Sequence, residues 1–128
     1  MRLLLDTCVF LWTASGDAKV SQAARQAIAA RDNDVFLSAV SVAEIAVKYR
    51  RGQLPLPEPP DRLIPVVRRQ HGIAGLALGE AAALALARLP DLHQDPFDRL
   101  LIAQAVAHGL VLVTPDEAIR RYPVPTLW

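Results

Sequence analysis

Short apolar runs, each long enough for a strand and no more, alternate with helix-length segments along the whole of this chain. Arg2–Leu5 is such a run, ends at Asp6 and reads as a buried strand. Leu110–Val113 is a strand of branched residues, Val35–Leu37 a second short one, and Ile73–Leu78 a weaker one. Val124–Leu127 closes the series, demoted to a sheet edge by Pro125. The helical segments between them are Cys8–Ala14, Ser21–Ala30 with Ser21 as its N-cap, and Ser41–Arg51 stopping at Gly52. Asp61–Gln70 follows, with Pro65 as a kink or a late start, then Ala-rich Glu80–Leu89, Pro96–His108 closed by Gly109, and Pro115–Arg121. Leu54–Pro60 carries four prolines and reads as an ordered loop. Strand and helix in alternation argue for a doubly wound α/β fold with a parallel sheet.

A chain of 128 residues fits one domain with a real core, here 1–128. The mix of 52% apolar and 21% charged residues is that of an ordinary globular protein. Its apolar runs fall far short of a membrane span, and nothing resembles a secretory leader, so a cytoplasmic location is expected. The single cysteine, Cys8, excludes an internal disulfide and a cysteine-based zinc site. A net charge of +1 gives no strong global attraction to nucleic acid, although 12 of the 14 cations are Arg, which suits bidentate phosphate contacts.

In an open parallel sheet, functional groups gather beyond the carboxyl ends of the strands. Four acids fall at those strand-to-helix junctions: Asp6, Glu44, Asp98 and Asp116. Each also has a local structural explanation. Asp6 can cap the helix that follows it. Ser41-Val-Ala-Glu44 matches a capping box. Asp95 and Pro96 read as the N-cap and first residue of a buried helix, with Asp98 in its first turn. Thr114 can cap, Pro115 can start the last helix, and Glu117 completes another capping box. Right-handed crossovers bring these four helix starts to one sheet edge. Caps explain acids there in general, but not four chain-distant acids with no Lys among them. Such a group repels itself unless a divalent cation binds, and hard carboxylate ligands without Cys or paired His favour Mg²⁺ or Mn²⁺.

Leu3-Leu-Leu-Asp6-Thr7, Ser38-Ala-Val-Ser41-Val-Ala-Glu44-Ile, Asp95-Pro-Phe-Asp98-Arg-Leu-Leu-Ile-Ala and Leu112-Val-Thr114-Pro-Asp116 occur in the order of the PIN-domain family. The chain resembles the VapC-type toxin ribonucleases of that family over essentially its whole length. The resemblance implies a three-layer α/β/α fold with a mostly parallel sheet of about five strands, and a Mg²⁺- or Mn²⁺-dependent endonuclease acting on RNA. It also implies a homodimer inhibited by a cognate antitoxin protein. Asp6, Glu44, Asp98 and Asp116 would be its catalytic and metal-binding acids, with Thr7, Thr114 and Arg99 in support. Asp95 competes with Asp98 for the third place; the spacing to the Leu-Leu-Ile-Ala run favours Asp98. Hydrolysis would leave a 5′-phosphate and a 3′-hydroxyl. His93, in the loop before Asp98, is open to a substrate contact, and Arg99 to a phosphate or an acid.

Two other classes stay open on the residues alone. An inactive scaffold binding RNA or a protein partner would show no carboxylate-dependent stabilisation by Mg²⁺. A phospho-receiver domain shares the architecture, but needs paired acids after the first strand and a late Lys, whereas Lys19 and Lys48 both lie early.

Overall fold

A computed structural model describes residues 1–128. Five strands form one sheet: β1 (Arg2–Leu5), β2 (Asp34–Ser38), β3 (Ile73–Leu76), β4 (Val111–Val113) and β5 (Thr126–Leu127). Their order is β3-β2-β1-β4-β5, and every neighbouring pair is parallel. Seven helices connect them: α1 (Thr7–Ser15), α2 (Gln22–Ala29), α3 (Ala39–Arg50), α4 (Pro60–His71), α5 (Glu80–Ala85), α6 (Pro96–His108) and α7 (Glu117–Arg120). The parallel α/β architecture read from the alternation is the one observed.

Leu3, Leu4 and Leu5 are wholly buried, as a central parallel strand requires. Their side chains alternate between two cores. Leu3 and Leu5 pack with Val9, Phe10, Ala24, Ile28, Ile64 and Val67 beneath α1, α2 and α4. Leu4 packs with Leu101, Ile102, Ala105, Leu112 and Ile119 beneath α6 and α7. Helix α3 gives Ile45 to the first core and Val40 to the second. At about 25 cal/mol per Å² of apolar surface, each of these large side chains contributes about 1.5–3 kcal/mol, which makes the two cores the main support of the site above them.

Strand β1 lies between β2, the next strand in the chain, and β4, the fourth. The winding direction reverses there, so a crevice opens beyond the carboxyl ends of β1 and β4. Leu5 pairs with Val113 at that end, and the Asp6 N–H continues the ladder onto Val113 O at 3.0 Å. Asp6 and Thr114 therefore leave the sheet side by side.

Several boundaries differ from expectation. Helix α3 starts at Ala39, not Ser41, because Ser38 is its N-cap and accepts the Val40 N–H at 2.9 Å. Ser41 thus lies inside the helix, and the Ser41–Glu44 capping box does not form. Helix α4 begins at Pro60 and runs through Pro65, whose exposed position leaves the unpaired Asp61 carbonyl to water. Strand β3 ends at Leu76, and α5 ends at Ala85 before a 3₁₀ turn at Leu86–Arg88. Helix α7 starts at Glu117, since Asp116, not Thr114, is its N-cap. Helix α6 has the expected bounds: Asp95 accepts the Phe97 N–H at 2.9 Å, and Gly109 closes the helix at φ 64°.

Candidate active site

The four acids come from four places in the chain. Asp6 follows β1, Glu44 lies on α3, Asp98 in the first turn of α6, and Asp116 just before α7. Burial raises Asp6 and Asp98, and charges from the other acids reach both. Asp6 is raised by the charges of Glu44 and Asp116, and Asp98 by those of Asp6 and Glu44.

Asp6 stands at the N-cap position of α1 but makes no side-chain cap. Its Oδ2 instead accepts the Thr114 hydroxyl at 2.7 Å. The Thr114 Oγ1 in turn accepts the Asp116 N–H at 3.0 Å, so one buried hydroxyl fixes two of the acids. Burial pushes the Asp6 carboxyl above its ordinary value, and the Thr114 bond opposes it.

Glu44 is buried, and both of its oxygens have donors. The Thr7 hydroxyl donates to Oε1 at 2.7 Å and also lies 2.9 Å from the Ser41 hydroxyl. Lys48, one helical turn on, places its ammonium 2.6 Å from Oε2. The expectation of an acidic cluster without a Lys is therefore corrected. Lys48 is held above its usual pKa mainly by this hydrogen bond, with Asp95 and Asp98 adding to it.

Asp98 is the most perturbed acid. Burial first, then the charges of Asp6 and Asp95, push its carboxyl up to about 7, while His93 opposes the rise. His93 Nε2 lies 3.1 Å from Asp98 Oδ2 and hydrogen-bonds Asp116 Oδ2 at 3.1 Å. The other Asp116 oxygen accepts the Ala118 N–H at 2.8 Å as the α7 cap. Ligand atoms of His93, Asp98 and Asp116 all lie within 4.8 Å of one another. Asp6 and Glu44 stand outside this tight group.

Arg99 is the expected supporting residue that does not face the acids. Its neighbour Asp98 does, and consecutive helical residues point about 100° apart. The Arg99 guanidinium binds Pro90 O at 2.8 Å, the Tyr122 hydroxyl at 3.0 Å and Leu86 O at 3.4 Å, bracing the segment before α6. Cys8 is no nucleophile or soft ligand. Burial, then the Asp6 charge, pushes its thiol up to about 12.

Two contributors escaped the sequence reading. Buried Gln104 hydrogen-bonds Ser38 Oγ through its Oε1 and donates to Ala77 O at 3.1 Å, pinning the start of α3. Its signal was a lone amide in the apolar face of α6. Lys48 had a signal too, an i,i+4 Glu–Lys pair.

The donors are carboxylate oxygens apart from the His93 nitrogen, with a surplus of negative charge that Lys48 balances only in part, and this fits a small divalent cation. Two cavities lie elsewhere. One of about 470 Å³ is flanked by Trp12, Arg25 and His71, and one of about 490 Å³ runs between α3 and α4 past Tyr49 and Arg68. No helix is long and apolar enough to cross a membrane.

A family model described as PIN domain matches residues 3–125. The chain is 33% identical to Ribonuclease VapC22 of Mycobacterium tuberculosis, over 98% of each protein. A shorter stretch, 38% of this chain and 35% of the relative, is 43% identical to Ribonuclease VapC16 of the same organism. Among solved structures, VapBC2 from Rickettsia felis, bound to a DNA fragment from its promoter, superposes with a TM-score of 0.76 at 16% identity, covering 99% of this chain and 98% of that one. VapBC from Salmonella typhimurium, also DNA-bound, gives 0.69 at 17% identity, covering 99% and 97%. The chain belongs to the PIN-domain family, as a relative of the VapC ribonucleases.

Proposed function

We propose that this chain is a Mg²⁺- or Mn²⁺-dependent endoribonuclease, a single PIN domain over 1–128 acting as the toxin of a VapBC-type pair. One observation carries the reading: four carboxylates from separate elements meet at the reversal point of a parallel sheet, and two of them, Asp6 and Asp98, are held above their ordinary range. Full-length similarity to a named ribonuclease supports RNA as the substrate.

Asp6 and Asp98 would hold the cation, with Glu44 and Asp116 completing the acidic frame. Bound there, the ion would supply Lewis acidity for activating water and stabilising charge on the scissile phosphate. The chain's own groups do the rest. Thr114 orients Asp6, and Thr7 orients Glu44. Lys48 pairs with Glu44 and stands at the exposed rim, where a phosphate can reach it.

The VapBC assemblies among the fold neighbours support a protein antitoxin as partner. Exposed Leu84 and Val106, on the adjacent helices α5 and α6, support a homodimer. A cytoplasmic location follows from such a role. Incubating the purified chain with RNA and Mg²⁺ tests the central claim. Cleavage is expected for the unaltered chain and none for Asp6→Asn of unchanged fold; full activity in that variant would sink the assignment.

A further inference from the structure

His93 is held more firmly than a loop residue needs to be. Its backbone N–H donates to the Tyr122 hydroxyl oxygen at 2.8 Å, and the Leu92 N–H reaches the same atom at 3.0 Å. Tyr122 is buried in the core beneath α6, so this anchor is rigid. Arg99 binds that oxygen too, and closes the segment through Pro90 O.

The ring is fixed as well. Nδ1 accepts the Asp95 N–H at 3.1 Å, so Nδ1 presents its lone pair and the ring proton sits on Nε2. That Nε2–H points at Asp116 Oδ2, with Asp98 Oδ2 equally near. This arrangement argues against Nε2 as a metal ligand. A ligand nitrogen needs its lone pair free, which would move the proton to Nδ1 and set two N–H groups against each other.

We infer that His93 is a positioning residue, whose Nε2–H holds Asp116 beside Asp98 so that the carboxylates converge on one cation, with Tyr122 and Arg99 holding His93 in turn. The inference rests on the proposed cation site. Groups that orient metal ligands from outside the coordination sphere typically change metal affinity about 10–100-fold when removed.

Mn²⁺ titration calorimetry on the full chain tests it, with circular dichroism as the folding control. His93→Ala should weaken Mn²⁺ binding roughly 10-fold or more. His93→Gln, whose carboxamide can still donate to Asp116, should recover most of that loss. Tyr122→Phe should weaken binding in the unaltered background and add nothing to His93→Ala. Nitrogen NMR of the imidazole should show the proton on Nε2 both before and after Mg²⁺ is added. Mn²⁺ uptake that is indifferent to His93→Ala overturns the inference alone. A proton that moves to Nδ1 on Mg²⁺ addition also overturns it, by making His93 a ligand. No Mn²⁺ uptake by the unaltered chain overturns the cation site and the inference together.

Discussion

Replacing Asp98 by Asn should stabilise the cation-free protein at alkaline pH, an unusual outcome for a substitution at a half-buried polar site. Asp98 rises from 3.8 to about 7 on folding, chiefly through burial and then through the neighbouring Asp6 and Asp95 charges. An acid raised on folding binds its proton more tightly in the native state. Its contribution is therefore fully present below the unfolded pKa and is lost as pH climbs through the folded one. The window runs from about pH 4 to about pH 7, and the loss is about 4 kcal/mol at about 1.4 kcal/mol per tenfold change. Asparagine cannot ionise, but its amide must find acceptors, so we expect a net gain of about 2 kcal/mol at pH 8. Urea denaturation in EDTA at pH 5 and pH 8 measures this, and the gain should be larger at pH 8. Millimolar Mg²⁺ should reverse the order, since the ionised carboxylate then has a partner and the amide does not. A variant less stable than the unaltered chain at pH 8 in EDTA would refute the reasoning, as would a pH-independent difference.

Four further tests probe the same frame. Thr114→Val keeps the shape and removes one donor to Asp6 and one acceptor for the Asp116 N–H, and should cost about 2 kcal/mol in urea denaturation. Lys48→Met leaves Glu44 buried without its cation. Because Lys48 is partly exposed the cost should be only about 1–2 kcal/mol in EDTA, smaller once Mg²⁺ is present. Cys8, with its thiol pushed up to about 12, should resist iodoacetamide at pH 8 in the folded protein and react on denaturation. Mn²⁺ affinity measured by calorimetry should fall further in Asp6→Asn than in Glu44→Gln; the reverse order would place the cation on α3.

The sequence carried the architecture because its signals act within one turn of chain. Asp95, Pro96 and Gly109 set the bounds of α6 through contacts two to five residues away. The start of α3 was misread because two serines compete for it, and what decides between them is Gln104, 66 residues beyond Ser38. The resemblance marked Thr114 as a supporting hydroxyl, but the same distance problem hid which acid it supports, Asp6, 108 residues earlier. The positions of Asp6, Asp98 and Asp116 were legible, since a parallel sheet sends every junction to one edge, whereas Glu44 lies inside α3, more than a turn past its cap. Which neighbours each acid has was not legible, since strand order decides that, and nothing local to β1 says that β4 lies next to it.

Counting donors separates the four acids. Thr7 and Lys48 occupy the two oxygens of Glu44, while Ala118 and His93 occupy those of Asp116. Asp6 has the Thr114 hydroxyl on one oxygen, and Asp98 has only the edge of His93 beside it. A carboxylate already satisfied by the protein gives up hydrogen bonds to take a cation, whereas an underserved one gains a partner. The same two acids are the two raised on folding, chiefly by burial, with neighbouring negative charges adding to the rise. The surplus of charge at this sheet edge thus falls on Asp6 and Asp98, which stand at the start of α1 and α6 on either side of the reversal point. Glu44 and Asp116, each fixed by its own donors, complete the acidic frame around them.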